Sequence, residues 1–518
     1  EGGGVGIPAG PAAGKCIAGQ TGVVHPGGWG TILIGGFRMG GSCANCPSGS
    51  APEMSFTVSG SNRKFYSAYF VLDVTDPEKD PVLLWSFTDA NLGLTTSYPA
   101  VVRVNPTTSG KTSNTDAQWF ALFGSGPNGY DASMPSTPVQ TSKMYAVRMD
   151  HGPRSDGDSA NNSTYVTIFD AYDTNPAAPP PDTKQNSFMG HIITMDRDLD
   201  FRVDVAYAGR TINDGTAAWA GKLERLTTGG CTTSACSPAT WGIVVTGTTR
   251  SPSEVTNTFA GTAKVGPITA APTVTTDDAN NVWVFYGTGR YLSNSDKVDT
   301  NTQYLFGVKD RAMSGCDETT SRVNCVSNQL VNVTGSVLCL VCASGTNQVT
   351  DPNNTAVTKF DDGTATSMVG LVASKHGWYI AMPVGERSVA SPTLIGGTVF
   401  FPSFLPTNDV CASTGTSYLY ALFYKTGTAF TSPIIGTAAP ASGTTNILNK
   451  ITLGDGLASQ MSMQIGRAGS GNVGTGLSST GTNDANNTAG STTGCAGGVT
   501  GAIQMGGGNV AKPCVRPS

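Results

Sequence analysis

Four carboxylates crowd one short stretch, Asp196, Asp198, Asp200 and Asp204, inside Ile192–Gly209 (IITMDRDLDFRVDVAYAG). Acidic groups packed this closely repel one another unless a cation sits among them. Calcium meets that need, because it takes six to eight oxygens and accepts a loop offering alternate side chains plus a backbone carbonyl. On the EF-hand pattern Asp196, Asp198 and Asp200 take positions 1, 3 and 5, the carbonyl of Arg202 position 7 and Asp204 position 9. Positions 6 and 12, Gly and a bidentate Glu in that pattern, hold Phe201 and Tyr207. Strands rather than helices are expected to flank the loop. The competing reading is a solvated acidic turn with Arg197 and Arg202 as its counter-charges.

Composition limits the scaffold that carries this loop. Among 518 residues there are 66 Gly and 30 Pro, and charged residues make up only 13%, so turns are many and no long amphipathic helix repeat emerges. Hydrophobic residues at 38% still build a sizeable core, and the class expected is a turn-rich all-β protein. A net charge of −5 without a basic stripe argues against nucleic acid as a partner. No apolar run approaches the ~20 residues of a transmembrane helix. The chain opens Glu1-Gly2-Gly3-Gly4 without a signal peptide, which reads as a mature or partial chain.

The 12 cysteines fall into close pairs: Cys43/Cys46, Cys231/Cys236, Cys316/Cys325, Cys339/Cys342 and Cys495/Cys514, leaving Cys16 and Cys411. Two are C-x-x-C elements, yet they lie far apart and neither is followed by the His of haem attachment. Gly-, Ser- and Asn-rich loops around an even cysteine count favour local disulfides in an oxidising compartment over zinc.

Short strands recur along the chain. Tyr66–Val74, an Asp76-Pro77 turn and Pro81–Phe87 read as one hairpin. Tyr98–Val104, Gln118–Gly124, Met144–Val147 and Tyr165–Asp170 continue the rhythm up to the acidic loop. Lys222–Leu226, Ile268–Val274, Trp283–Tyr291 and Tyr304–Val308 follow it. A cysteine-bearing insertion over residues 310–365 precedes Gly377–Ile380, Pro392–Ile395, Val399–Pro402 and Tyr418–Leu422. Many short strands without long helices point to radially repeated small sheets. The expected division is a Gly/Pro-rich lead-in (1–28), a propeller (29–465) and a Gly/Ser/Thr-rich tail (466–518).

Particular segments then resemble a known family. Trp29–Gly36, Tyr69–Pro77 and Leu84–Phe87 resemble the opening of the C-terminal propeller of the PilC/PilY family, type IV pilus tip-associated assembly proteins and adhesins. Leu92-Gly93 with Tyr98–Val101, and Trp119–Gly124, are similar to its next blade. Ile268–Pro272 with Phe285–Leu292, Gly385-Glu386-Arg387 before Ser391-Pro392, and Phe400-Phe401 before Cys411 and Tyr418–Leu422 extend the resemblance over about residues 29–424. It implies an all-β, modified β-propeller of about seven blades, complete or incomplete, with long disulfide-bearing loop insertions. It also implies calcium held by Asp196, Asp198, Asp200, the Arg202 carbonyl and Asp204. Departures are Leu199 and Phe201 where small residues are common, and Arg210 where the family has an acid. A large N-terminal domain and an earlier strand set are absent from this sequence, so a second polypeptide or a cleaved N-terminal part is expected to complete the propeller.

The function expected from this resemblance is non-enzymatic. It is a secreted module at the bacterial surface and pilus tip that contacts minor pilins, with a host or other surface as further ligand. Two alternatives stay open: a quinoprotein-like dehydrogenase propeller and a structural subunit of an extracellular filament or coat. Against the first, no tryptophan-docking repeat recurs, and His25, His151, His191 and His376 are scattered. Asp156/Asp158 and Asp296/Asp299 read as turn residues, and Trp85, Trp119 and Trp283 as core.

Overall fold

Pleat alternation underlies the main elements. In the Tyr69–Asp73 strand Tyr69, Val71 and Asp73 are buried while Phe70 and Leu72 are half-buried, the period of two that sends successive side chains to opposite faces. The computed structural model describes residues 30–41, 55–64, 66–89, 91–104, 118–128, 140–149, 152, 165–170, 186–213, 219–228, 238–246, 249–318, 322–407, 415–441, 443–464, 499–506, 510–511 and 514–515. Within them α-helix is confined to Arg322–Cys325 and Met368–Ala373. The chain is all-β, as its composition implies. It divides into two compact units between Glu254 and Val255.

Among the described residues the first unit holds three larger antiparallel sheets, besides two short hairpins, Ser55–Val58 with Ser61–Lys64 and Ile243–Thr246 with Thr249–Ser251. Ile32–Gly36, Tyr69–Asp73 and Val82–Phe87 form the first; Ala100–Val104, Gln118–Gly124, Lys143–Arg148 and Tyr165–Asp170 form the second. Asn186–Met195, Val205–Asn213 and Ala220–Thr227 form the third, with Ser253–Thr256, in which the division falls, at its edge. The central Gln118–Gly124 strand serves both neighbours. Ala121 and Phe123 pack with Tyr69, Val71, Trp85 and Phe87 on one side. Phe120 and Leu122 pack with Met189, Ile192, Ala206, Ala208 and Trp241 on the other. Burial on both faces explains why this strand is a continuous apolar run, each large side chain contributing about 1.5–3 kcal/mol.

The second unit repeats the device. Thr273–Thr276, Val282–Gly287, Tyr304–Lys309 and Gly377–Ala381 make one sheet, to which Val331–Asn332 adds in parallel; Thr393–Ile395, Thr398–Leu405, Thr416–Phe423 and Lys450–Asp455 make the next. Val399 and Phe401 face Trp283, Phe285 and Trp378, whereas Phe400 faces Met461, Ile503 and Met505. Val499–Gln504 pairs with Ser462–Gln464, so part of the stretch read as a low-complexity tail is a strand. The 310–376 excursion carries the disulfides Cys316–Cys325 and Cys339–Cys342. The other expected cysteine pairings lie outside the residues whose side chains are described.

Two histidines work as hydrogen-bond acceptors rather than as acids or bases. His191 Nδ1 accepts the Tyr98 N–H at 3.2 Å, and its ring stacks on Tyr98 at 4.1 Å. Burial, then the nearby Arg38, lowers its pKa from 6.5 to about 4. His376 Nδ1 accepts N–H groups of Asn328 and Gln329 at 3.3 and 3.2 Å. Burial, then Arg311, Lys309 and Lys375, likewise brings it to about 4. A depressed histidine pKa means the unfolded chain takes up the proton first, so this stability is whole above pH 6.5 and drains as pH falls toward 4. Denaturation across that window is expected to steepen in wild type and flatten in a His191→Gln/His376→Gln variant. Identical profiles would refute the assignment. His25 and His151 lie outside the described residues.

Candidate metal centre

The acidic loop is the turn of a hairpin. Met195 and Val205 form the last pair of the ladder, and the Asp204 N–H closes it on the Met195 carbonyl at 3.0 Å. Strands flank the loop on both sides. Its own carboxylates then wind it: Asp196 accepts the N–H of Asp200 at 3.2 Å and of Phe201 at 2.7 Å, and Asp204 accepts that of Arg197 at 2.8 Å. The winding places Leu199 and Phe201 at φ 61° and 66°, a left-handed backbone that side chains beyond Gly, Asn and Asp adopt at a cost of about 1–2 kcal/mol each.

Carboxylate oxygens of Asp196, Asp198 and Asp204 lie within 4.8 Å of one another. Asp200 is turned differently, accepting the Arg202 N–H at 2.9 Å and pairing with the Arg202 guanidinium at 3.3 Å. The structure thus brings three of the four candidate carboxylates together and sets the fourth against its counter-charge. Partial burial raises the pKa of Asp204; the Arg197 N–H opposes the shift, and Asp198, Asp196 and Asp200 add to it. That mutual repulsion is what a cation would relieve.

Two neighbours that local spacing could not reveal hold the loop in place. Arg103, on the second sheet, donates to the Phe201 carbonyl at 2.8 Å, while its own carbonyl accepts the Val203 N–H at 2.9 Å. Its guanidinium lies 5.8 Å over the Trp119 ring. Thr228 donates its N–H to the Asp204 carbonyl at 2.9 Å and its hydroxyl to Val203. Arg210 is buried and pairs with Glu224 at 3.2 Å, which accounts for a cation just past Tyr207-Ala208-Gly209. The donor set is all oxygen, and a carboxylate oxygen that accepts one N–H keeps a second lone pair. Hard oxygen donors of this kind fit calcium better than zinc or copper. Asp196, Asp198 and Asp204 would hold the ion, with Asp200 and the Arg202 carbonyl next to them; the ion would supply charge neutralisation and loop order.

Asp296 is buried against Arg290 at 2.7 Å, and Asp299 accepts from Asn301 within its turn. Trp85 and Trp283 are buried, with indole N–H groups on the Met149 carbonyl and the Asp277 carboxylate.

Residues 188–335, a span that includes the whole acidic loop, match the family model described as PilY1 beta-propeller domain. The chain is similar to PilY1 over this span. A type IV pilus biogenesis factor PilY1 homolog of Xylella fastidiosa is 25% identical over 418 residues, covering 78% of this chain and 22% of that protein. A second homolog of the same strain is 24% identical over 364 residues, 69% of this chain and 23% of that protein. The chain thus spans less than a quarter of the length of the curated proteins it matches. The crystal structure of the Pseudomonas aeruginosa PilY1 C-terminal domain aligns with a TM-score of 0.50 and 16% identity, over 91% of this chain and 84% of that one. At that identity the likeness is one of fold alone.

Proposed function

We propose that this chain is the propeller part of a type IV pilus biogenesis factor, a non-catalytic binding and assembly module whose 196–204 loop takes calcium. The convergence of Asp196, Asp198 and Asp204, within the span matching the PilY1 propeller, carries the reading. Calcium would order a surface loop and so couple external calcium to contacts with minor pilins or with a surface to which the bacterium adheres. The proposed setting is extracellular, at the pilus tip. Two cysteine pairs joined as disulfides support an oxidising compartment, and no helix among the described residues is long and apolar enough to cross a membrane. The sheets are proposed as blades of one ring of about seven, completed by a second polypeptide or an N-terminal part. In support, Leu33 and Leu83, 49% and 50% exposed, flank Leu72 in register on one face of the first sheet.

Calorimetry on chelator-stripped protein tests the metal. Wild type is expected to give a saturable calcium heat. Asp204→Asn should weaken it on the order of tenfold or more, since ligand charge count tunes such loops over decades. Asp200→Ala should weaken it less, because that carboxylate faces Arg202. The same substitutions should impair piliation in parallel. No heat in wild type would remove the calcium and leave the fold, and a larger loss in Asp200→Ala would overturn the ligand assignment.

A further inference from the structure

We propose that the 196–204 loop is a calcium-gated anchor for an anionic lipid surface, with Leu199 and Phe201 as the inserting side chains. The proposal rests on the calcium reading above and adds the partner. Leu199 and Phe201 are each 79% exposed, although both are large and apolar and both sit among the aspartates at the tip of the turn. Their left-handed backbone is held by the Asp196 and Arg103 hydrogen bonds, and their exposed side chains add no packing to it. An anchor gives that exposure a use.

Shape and area select the occupant. A stable protein interface buries about 800 Å² on each partner, and an aromatic side chain supplies only about 150–250 Å². Two side chains on a convex tip fall short of the first, yet they suit an interface in which each apolar group partitions by itself. The charge supplies the gate. Four aspartates face Arg197 and Arg202 within residues 196–204 and Arg103 on the Phe201 carbonyl, a surplus of one negative charge that holds the bare loop off an anionic surface. A divalent cation at the three convergent carboxylates turns it into a surplus of one positive charge, which favours an anionic surface. The tip is also held firmly, because Arg103 grips the Phe201 carbonyl from the neighbouring sheet.

Vesicle flotation with the full chain tests this, using phosphatidylcholine mixed with phosphatidylglycerol, and phosphatidylcholine alone. Wild type should float with the mixed vesicles in calcium and stay behind in chelator or with phosphatidylcholine alone, and equal flotation with both vesicle types would overturn the anionic surface. Leu199→Asn/Phe201→Asn should float at least about tenfold less; Asn tolerates positive φ, so the loop keeps its fold. Calcium calorimetry on the same samples separates the two readings. Protein that gives the calcium heat yet fails to float overturns the lipid anchor, leaves calcium standing, and turns the search to a protein pocket. Equal flotation in chelator overturns the gate. A double variant that floats like wild type overturns the choice of side chains.

Discussion

Arg387→Met is expected to lower the unfolding free energy of the second unit by about 4 kcal/mol. Arg387 is 2% exposed, and the hydrogen bonds of its guanidinium end on backbone. Nε and Nη2 reach the Gly385 carbonyl at 3.1 and 3.0 Å, Nη1 the Arg290 carbonyl at 3.1 Å and that of Asp296, and Nη2 the Asp299 carbonyl at 2.8 Å. A fork holding four carbonyls is what planar guanidinium does and a lysine ammonium cannot. Methionine fills much of the volume but leaves those buried acceptors unpaired, each at about 1–3 kcal/mol. The desolvation of a buried cation disappears with it, so the net effect falls below the sum. Urea denaturation followed by tryptophan emission measures it; a loss under about 1 kcal/mol would mean water replaces the fork. Beside it Glu386 holds Ser403, Tyr420 and Lys450 at 2.5, 2.9 and 2.7 Å. Gly385-Glu386-Arg387 is therefore a buried polar joint.

Trp378→Ala should remove about 4–5 kcal/mol, the upper range for emptying a large aromatic site. The indole is fully buried and donates to the Tyr424 carbonyl at 2.8 Å. Glycine backbone walls it. A Cβ on Gly307 would meet the ring at 2.4 Å, as would one on Gly427, which sits at φ +72°. Backbone held by strand pairing at Gly307 and by the Gly427 N–H on the Phe423 carbonyl cannot move inward to fill the gap, so the cavity stays open and the full cavity penalty applies. Trp378→Phe should retain more than half of the lost stability. Thermal unfolding tests both, and a drop of less than about 2 kcal/mol for Trp378→Ala would show that the slot collapses.

What the sequence could declare depended on whether its signal was local. Gln118–Gly124 and Tyr165–Asp170 could be bounded from residues alone, because aromatic and β-branched side chains fill them. Asn186–Met195 could not. It opens on polar Asn186 and Ser187, and its register shifts between Met189 and Ile192, so its pattern breaks where its pairing bulges. Val337–Val341 draws its identity from Thr444–Ile447, paired as Leu338 with Ile447, a partner no window of the sequence contains. The site divides likewise. Its aspartates were legible as a spacing, and Arg202 as a counter-charge. Arg103 and Thr228, which brace the loop from elsewhere in the unit, carry no motif.

The excursion between Tyr304–Lys309 and Gly377–Ala381 bears on the order of assembly. These strands are direct neighbours, Tyr304 opposite Ala381, so the connection is a hairpin loop holding all of residues 310–376. Against an ordinary short hairpin that is about four doublings of loop length, or about 2.5 kcal/mol of extra closure entropy. The two disulfides inside it span separations of only 9 and 3 residues, too local to shorten the circuit. The ladder is therefore expected to close late in folding, together with the excursion, whose Met368 and Val372 share one core with Leu305 and Trp378 of the two strands.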